Sequence, residues 1–168
     1  SSFFGFAKAA EFKSSTRCAM VAGLAEHGRY LHSFGDVGNS NWAATQYTGL
    51  ATLALTMPEL NDAQVWFEHA QRKILDDMRK GVYPDGVEDE ETSHYHGVAL
   101  SSFGGFLTLV QRSKRPPAPD MSSIIQRMWN YLAYSLDPSG VSPLNGDADT
   151  DNNSAAVLGA AQTFHRPD

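Results

Sequence analysis

Five carboxylates, two histidines and a tyrosine fall within twelve residues, Asp85-Gly86-Val87-Glu88-Asp89-Glu90-Glu91-Thr92-Ser93-His94-Tyr95-His96. Such a cluster offers proton transfer, metal ligation or the start of a helix. Acids in a first turn favour the positive end of the helix dipole, and Thr92 or Asp89 can cap it. Tyr95 also lies on an apolar stripe, where an ordinary core tyrosine would sit. His94 and His96 diverge if the stretch is helical and share a face only if it is extended, so a metal site there depends on an extended backbone. A second cluster, Gly38-Asn39-Ser40-Asn41-Trp42 with Gln46, places Asn41 where a helix begins; an N-cap is the commonest task for Asn in that position. A third, Asn145-Gly146-Asp147-Ala148-Asp149-Thr150-Asp151, has the look of a calcium loop. It carries Ala156 where an EF-hand needs its twelfth-position Glu, which argues against one.

These residues need elements to hold them, and the period along the chain is helical. Ala63, Trp66, Phe67, Ala70, Ile74 and Met78 form one stripe and predict a helix over 62–80, with Asn61 and Gln64 as a capping box and Gly81 in a left-handed C′ position. Further helices are predicted from Trp42 to about Thr56, limited by Pro58, and from about Thr92 to Arg112. Another follows Pro116-Pro117-Ala118-Pro119 with Asp120 as its cap. An earlier one covers about Thr16 to Phe34, a short one precedes it in the first dozen residues, and a weaker one runs from Asn153 to Phe164. No segment alternates as a strand does. The expected fold is all-α: five to seven helices paired as antiparallel αα-hairpins, stacked as in a solenoid or toroid.

The chain has 168 residues, 42% hydrophobic and 19% charged, enough for one folded domain. Its formal net charge of -6 argues against nucleic acid as a partner. The one cysteine, Cys18, excludes an intrachain disulfide and a cysteine-based zinc site. Its apolar runs are too short to span a membrane. The start at Ser1 and the ending Phe164-His165-Arg166-Pro167-Asp168 suggest a piece of something longer.

The spacing of several elements resembles the heparinase II/III-like polysaccharide lyases. Gly38-Asn39-Ser40-Asn41-Trp42, Gln46, Gly49-Leu50-Ala51, Leu53-Ala54-Leu55 and Pro58-Glu59 are similar to the family's Asn-bearing segment. Trp66 follows on a helix. Tyr83-Pro84-Asp85-Gly86 matches a Tyr-Pro-Asp-Gly element, and Glu90-Glu91-Thr92-Ser93-His94-Tyr95-His96 matches Glu-x-Ser-x-x-Tyr-His with Thr92 for Ser. Gly146-Asp147 resembles a late Gly-Asp loop.

The resemblance implies that residues 1–168 are part of an (α/α) toroid, incomplete here and without the family's C-terminal β-sandwich. It implies β-elimination on uronic-acid polysaccharides of heparan, heparin or alginate type, with no cofactor, and a periplasmic or secreted location. The partners would be the acidic polysaccharide and the remainder of the full-length lyase. Asn41 would neutralise the uronate carboxylate, Tyr95 would act as acid or base, and His96 would tune or orient. Trp42, Gln46, Tyr83 and Glu90 would contact substrate or fix the loop. The proton beside a charged carboxylate is very weakly acidic; an amide at a helix N-terminus stabilises the developing charge without adding one of its own. A tyrosine, with its ordinary pKa of about 10, is protonated at rest and suits donation to the leaving oxygen.

The sequence departs from several subfamilies at Trp42, where they carry a catalytic His. Two other readings stay open. One is a uronide hydrolase on a helical toroid, using Asp85, Glu88 and Asp149; the other is a glycan-binding fragment without catalysis.

Overall fold

The computed structural model describes residues 13–35 and 41–165, and of Asn41 the backbone only. The described residues form six helices: α1 (Ser14–Phe34), α2 (Asn41–Thr56), α3 (Ala63–Gly81), α4 (Ser93–Arg112), α5 (Met121–Ser135) and α6 (Ser154–Thr163). There is no β-strand among them, only two isolated bridges, Val82 with Glu88 and Val141 with Asn152, each closing a loop. The short helix expected in the first dozen residues lies outside the described residues.

Tertiary contacts fix the helix directions. Gly28 meets the Trp66 ring and His32 stacks on His69 at 4.5 Å, so α1 and α3 run the same way. Tyr47 of α2 meets that same His69. Arg115, just past α4, lies 4.6 Å over the Phe67 ring near the start of α3, so α3 and α4 are antiparallel. His96 near the start of α4 reaches Met128 in the middle of α5, and α5 returns along α4. The result is a stack of antiparallel hairpins, each burying the apolar stripe that its period dictates.

The core is concentrated in α2 to α5. Tyr47, Leu50, Ile74, Met78, Phe106, Val110, Ile125 and Met128 are essentially inaccessible. The outer helices contribute little, with Ala25 and Gly28 buried on α1 and Ala160 on α6. Gly28 is required by closeness rather than by backbone conformation, because a Cβ there would run into the indole of Trp66.

Three expected helix ends form differently. Asp62 takes the N-cap place of α3 without a side-chain cap, and Gln64 instead donates to Glu68 at 2.7 Å, so the Asn61–Gln64 capping box is not made. The Leu60 carbonyl accepts the Ala63 N–H in a turn, and the helix starts one residue later than an Asn61 cap requires. Gly81 stays helical, followed by extended Val82, because its carbonyl is taken by the Asp89 N–H at 2.8 Å. Asp120 stands at the start of α5 with φ 68, and its carboxylate holds Arg79 at 2.8 Å rather than capping. Thr92 does cap α4, accepting from the Tyr95 N–H at 3.1 Å.

Candidate functional site

The N-terminus of α4 is the most constrained polar region of the described structure. Thr92 is extended and turns the chain into the helix. The Ser93 hydroxyl donates to the Pro143 carbonyl at 2.6 Å, and the Ser93 N–H donates to Asn145 Oδ1 at 3.3 Å. Asn145 Nδ2 in turn donates to the Glu91 carbonyl at 2.6 Å. A segment fifty residues downstream thus clamps the entry to the helix. Gly146, with φ 58, lies so close that a Cβ would sit 3.0 Å from the Thr92 methyl. The clamp loop has a frame of its own: Asp137 Oδ1 accepts from the N–H of Ser139 and of Val141, and Asn153 donates to Ser142 Oγ.

From this fixed start, three successive side chains take different directions, as a helix requires. His94 is half-buried, its Nδ1 3.3 Å from Asp151 and 3.6 Å from Asp149. Tyr95 is half-buried, its ring edge-on to His94 at 5.4 Å. His96 is buried at 2% exposure, with its ring 4.9 Å from that of Tyr131 and its Nε2–H donating to the Met128 carbonyl at 3.1 Å. Burial lowers the His96 pKa against the opposing effect of that bond, so the ring is neutral near pH 7. Its Nδ1 is buried without a partner among the described residues. Because the backbone is helical rather than extended, His94 and His96 face separate partners and do not share a face.

The loop before α4 carries the other expected residues. Tyr83 is exposed, and its backbone closes a turn in which the Gly86 N–H donates to the Tyr83 carbonyl at 2.9 Å. Gly86 has φ 96 and is pressed against the Arg127 carbonyl, so both its conformation and its lack of Cβ are needed. Glu90 is exposed, and its N–H donates to Glu88 at 3.1 Å. Glu88 itself is buried. Burial, with Asp89 and Glu90 alongside, pushes its carboxyl up to about 7 even though the Glu90 N–H opposes the shift.

Asn41 opens α2 as expected, and its side chain lies outside the described residues, as do Gly38, Asn39 and Ser40. Trp42 is 72% exposed, while Gln46 is half-buried. Tyr83, Glu90 and Tyr95 are therefore carried by one loop–helix junction that the clamp loop holds, Trp42 and Gln46 by the first turns of a neighbouring helix, and His96 lies in the interior. Sequence reasoning missed Asn145 as the residue that joins two of these segments, and missed the buried state of Glu88. Asn145 stands out in the sequence only as the start of a polar loop, and its partners Ser93 and Glu91 lie more than fifty positions away.

Comparison with known proteins places this arrangement. A heparinase III crystal structure shares the fold with a TM-score of 0.83 at 18% identity, over 95% of this chain and 26% of that one. The heparan sulfate lyase HepC from Pedobacter heparinus matches with a TM-score of 0.79 at 18% identity, again over 95% and 26%. A heparinase III gene product matches at 0.79 and 19%, over 96% and 26%. The chain thus spans about a quarter of the length of these structures, and its hairpins correspond to part of their helical toroid. No curated protein matches the sequence. The family model for the heparinase II/III N-terminus matches residues 1–166, nearly the whole chain, and the protein belongs to that family.

Proposed function

We propose that this chain is part of the helical toroid of a polysaccharide lyase that cleaves uronic-acid glycans, of heparan, heparin or alginate type, by β-elimination. The observation that carries the reading is the clamped start of α4, which holds a half-buried Tyr95 in a fixed direction within a family of lyases. A tyrosine held this way can protonate the departing glycosidic oxygen, and one positioned acid or base contributes roughly a hundred- to ten-thousand-fold. Asn41, at the positive end of α2, is proposed to hydrogen-bond the uronate carboxylate and stabilise charge as the adjacent proton leaves. Trp42 and Tyr83 are exposed aromatics suited to sugar faces, with Gln46 and Glu90 as polar contacts beside them. His96 acts from behind, fixing α4 on α5, since its ring faces Met128 and Tyr131. The substrate class places the working protein in the periplasm or outside the cell; none of the described helices is long and apolar enough to cross a membrane.

One observation favours a uronide hydrolase instead: Glu88 keeps a proton near neutral pH, as a general acid must. Its burial and its bond from Glu90 give it less access to a sugar than Tyr95 has. The test incubates this chain, and a longer version containing the rest of its gene product, with heparan sulfate, alginate and hyaluronan. Ultraviolet absorbance follows the unsaturated uronate. Absorbance that grows with the longer protein and is lost in Tyr95→Phe and Asn41→Ala establishes the lyase. Rising reducing ends without absorbance point to the hydrolase, and neither signal leaves glycan binding alone.

A further inference from the structure

A cleft of about 580 Å³ opens against Tyr83 and Pro84, between the end of α3 and the first turns of α5. Its charged lining is Arg79, Lys80, Arg127 and Asp120, three cations against one carboxylate, in a chain whose net charge is -6. Asp120 is committed to Arg79 at 2.8 Å. Among the described residues neither Lys80 nor Arg127 has a carboxylate in ion-pair range. Arg127 is the telling residue. Its Nε–H is buried without a hydrogen-bond partner among the described residues, and its charge is left unpaired in the cleft wall. The backbone of Arg127 is held in place by the close packing of Gly86 on its carbonyl. Tyr83, 43% exposed, forms the wall beside these cations.

We infer that this cleft is a second glycan subsite, in which Arg127 and Lys80 take a sulfate or carboxylate substituent of an acidic polysaccharide while the Tyr83 ring lies along the sugar. A planar guanidinium matches two oxygens of such a group, and Lys80 adds a point charge at the exposed rim. The aromatic wall favours an anion carried on a sugar over a free ion. The inference rests on the proposed acidic-glycan substrate but not on the chemistry assigned to Tyr95.

The test is calorimetric titration of this chain at low salt with three probes: a heparin oligosaccharide, an unsulfated heparosan oligosaccharide and sodium sulfate. The heparin oligosaccharide should bind the wild type, with affinity falling as salt rises. The double variant Lys80→Gln/Arg127→Gln should bind roughly tenfold or more weakly, as expected for losing charge-assisted contacts. Lys80→Glu, which alters only an exposed side chain, should lose affinity in the same direction with an unchanged thermal melt. Arg112→Gln, which removes an exposed cation outside the cleft, should leave heparin affinity within about twofold, and this separates the cleft from the general charge of the surface. Heparosan binding with the same sensitivity assigns the carboxylate, and its absence assigns the sulfate. The inference is overturned if heparin does not bind, if both cleft variants bind as tightly as the wild type, or if sodium sulfate alone binds as well as the oligosaccharide. Sensitivity of binding to the cleft variants in a protein that yields no unsaturated uronate would remove the lyase reading and leave this subsite standing.

Discussion

At the scale of single residues, the strongest chemical anomaly is Glu88. Its carboxyl holds a proton to about pH 7, against an ordinary value near 4.5, because burial penalises the charge and Asp89 and Glu90 repel it. The folded protein therefore binds a proton here that the unfolded chain has already released between those two values. The stabilisation is present at acid pH, declines as pH rises from about 4.5 to about 7, and is gone above that. The linkage is on the order of 3 kcal/mol. Glu88→Gln keeps an acceptor for the Glu90 N–H and removes the titration. Chemical denaturation across about pH 5 to 8 should show the wild type losing stability relative to the variant as pH rises; parallel curves would exclude the linkage. The acidic run was plain in the sequence, but reading its acids as first-turn residues placed them too late, since α4 begins at Ser93 behind its Thr92 cap with no acid in its first turn. It missed Glu88 because burial depends on the Val82–Glu88 bridge, which turns that one side chain inward and which no local pattern announces.

At the scale of elements, helix positions were legible and helix ends were not. The stripes of α3, α4 and α5 follow from apolar spacing, and each formed within a few residues of its expected bounds. The ends depend on what the neighbouring chain offers. Asp120 was free to cap α5 until Arg79 of α3 claimed its carboxylate, and Gly81 was free to turn until Asp89 bonded its carbonyl. The clamp on α4 is the same effect in a functional place. Asn145→Ala should cost about 1 kcal/mol in stability, the usual worth of a cap, because it releases the Ser93 N–H and the Glu91 carbonyl. In a longer, active protein it should also lower turnover by freeing the direction of Tyr95, with little change in substrate affinity. A variant whose turnover matches the wild type would show that the clamp serves folding alone. Gly86→Ala should be costlier, about 2 kcal/mol or more, since it combines a positive φ with a collision on the Arg127 carbonyl. A urea midpoint within error of the wild type would mean that the turn had simply relaxed.

At the scale of the whole molecule, the burial pattern is uneven in a way that follows from the hairpin stack. A repeat buries its apolar face against its neighbours on both sides, so stability accumulates in the interior of a stack and thins toward its flanks. Here α2 to α5 hold nearly all the inaccessible side chains, whereas α6 buries Ala160 and leaves Leu158 65% exposed. Helix α6 is also short, ten residues, below the length at which a helix holds itself in water. Its opening should therefore be a local event costing far less than global unfolding. Hydrogen exchange followed by mass spectrometry should find the amides of α6 exchanging orders of magnitude faster than those of α3 and α4. The clamp loop before α6 should sit between, because its hydrogen bonds to Ser93 and Glu91 tie it to the interior. Equal protection across all six helices would mean that the chain unfolds as one cooperative unit. A clamp loop as unprotected as α6 would mean that Tyr95 is held by its own helix, and the case for its fixed direction would then rest on Thr92 alone.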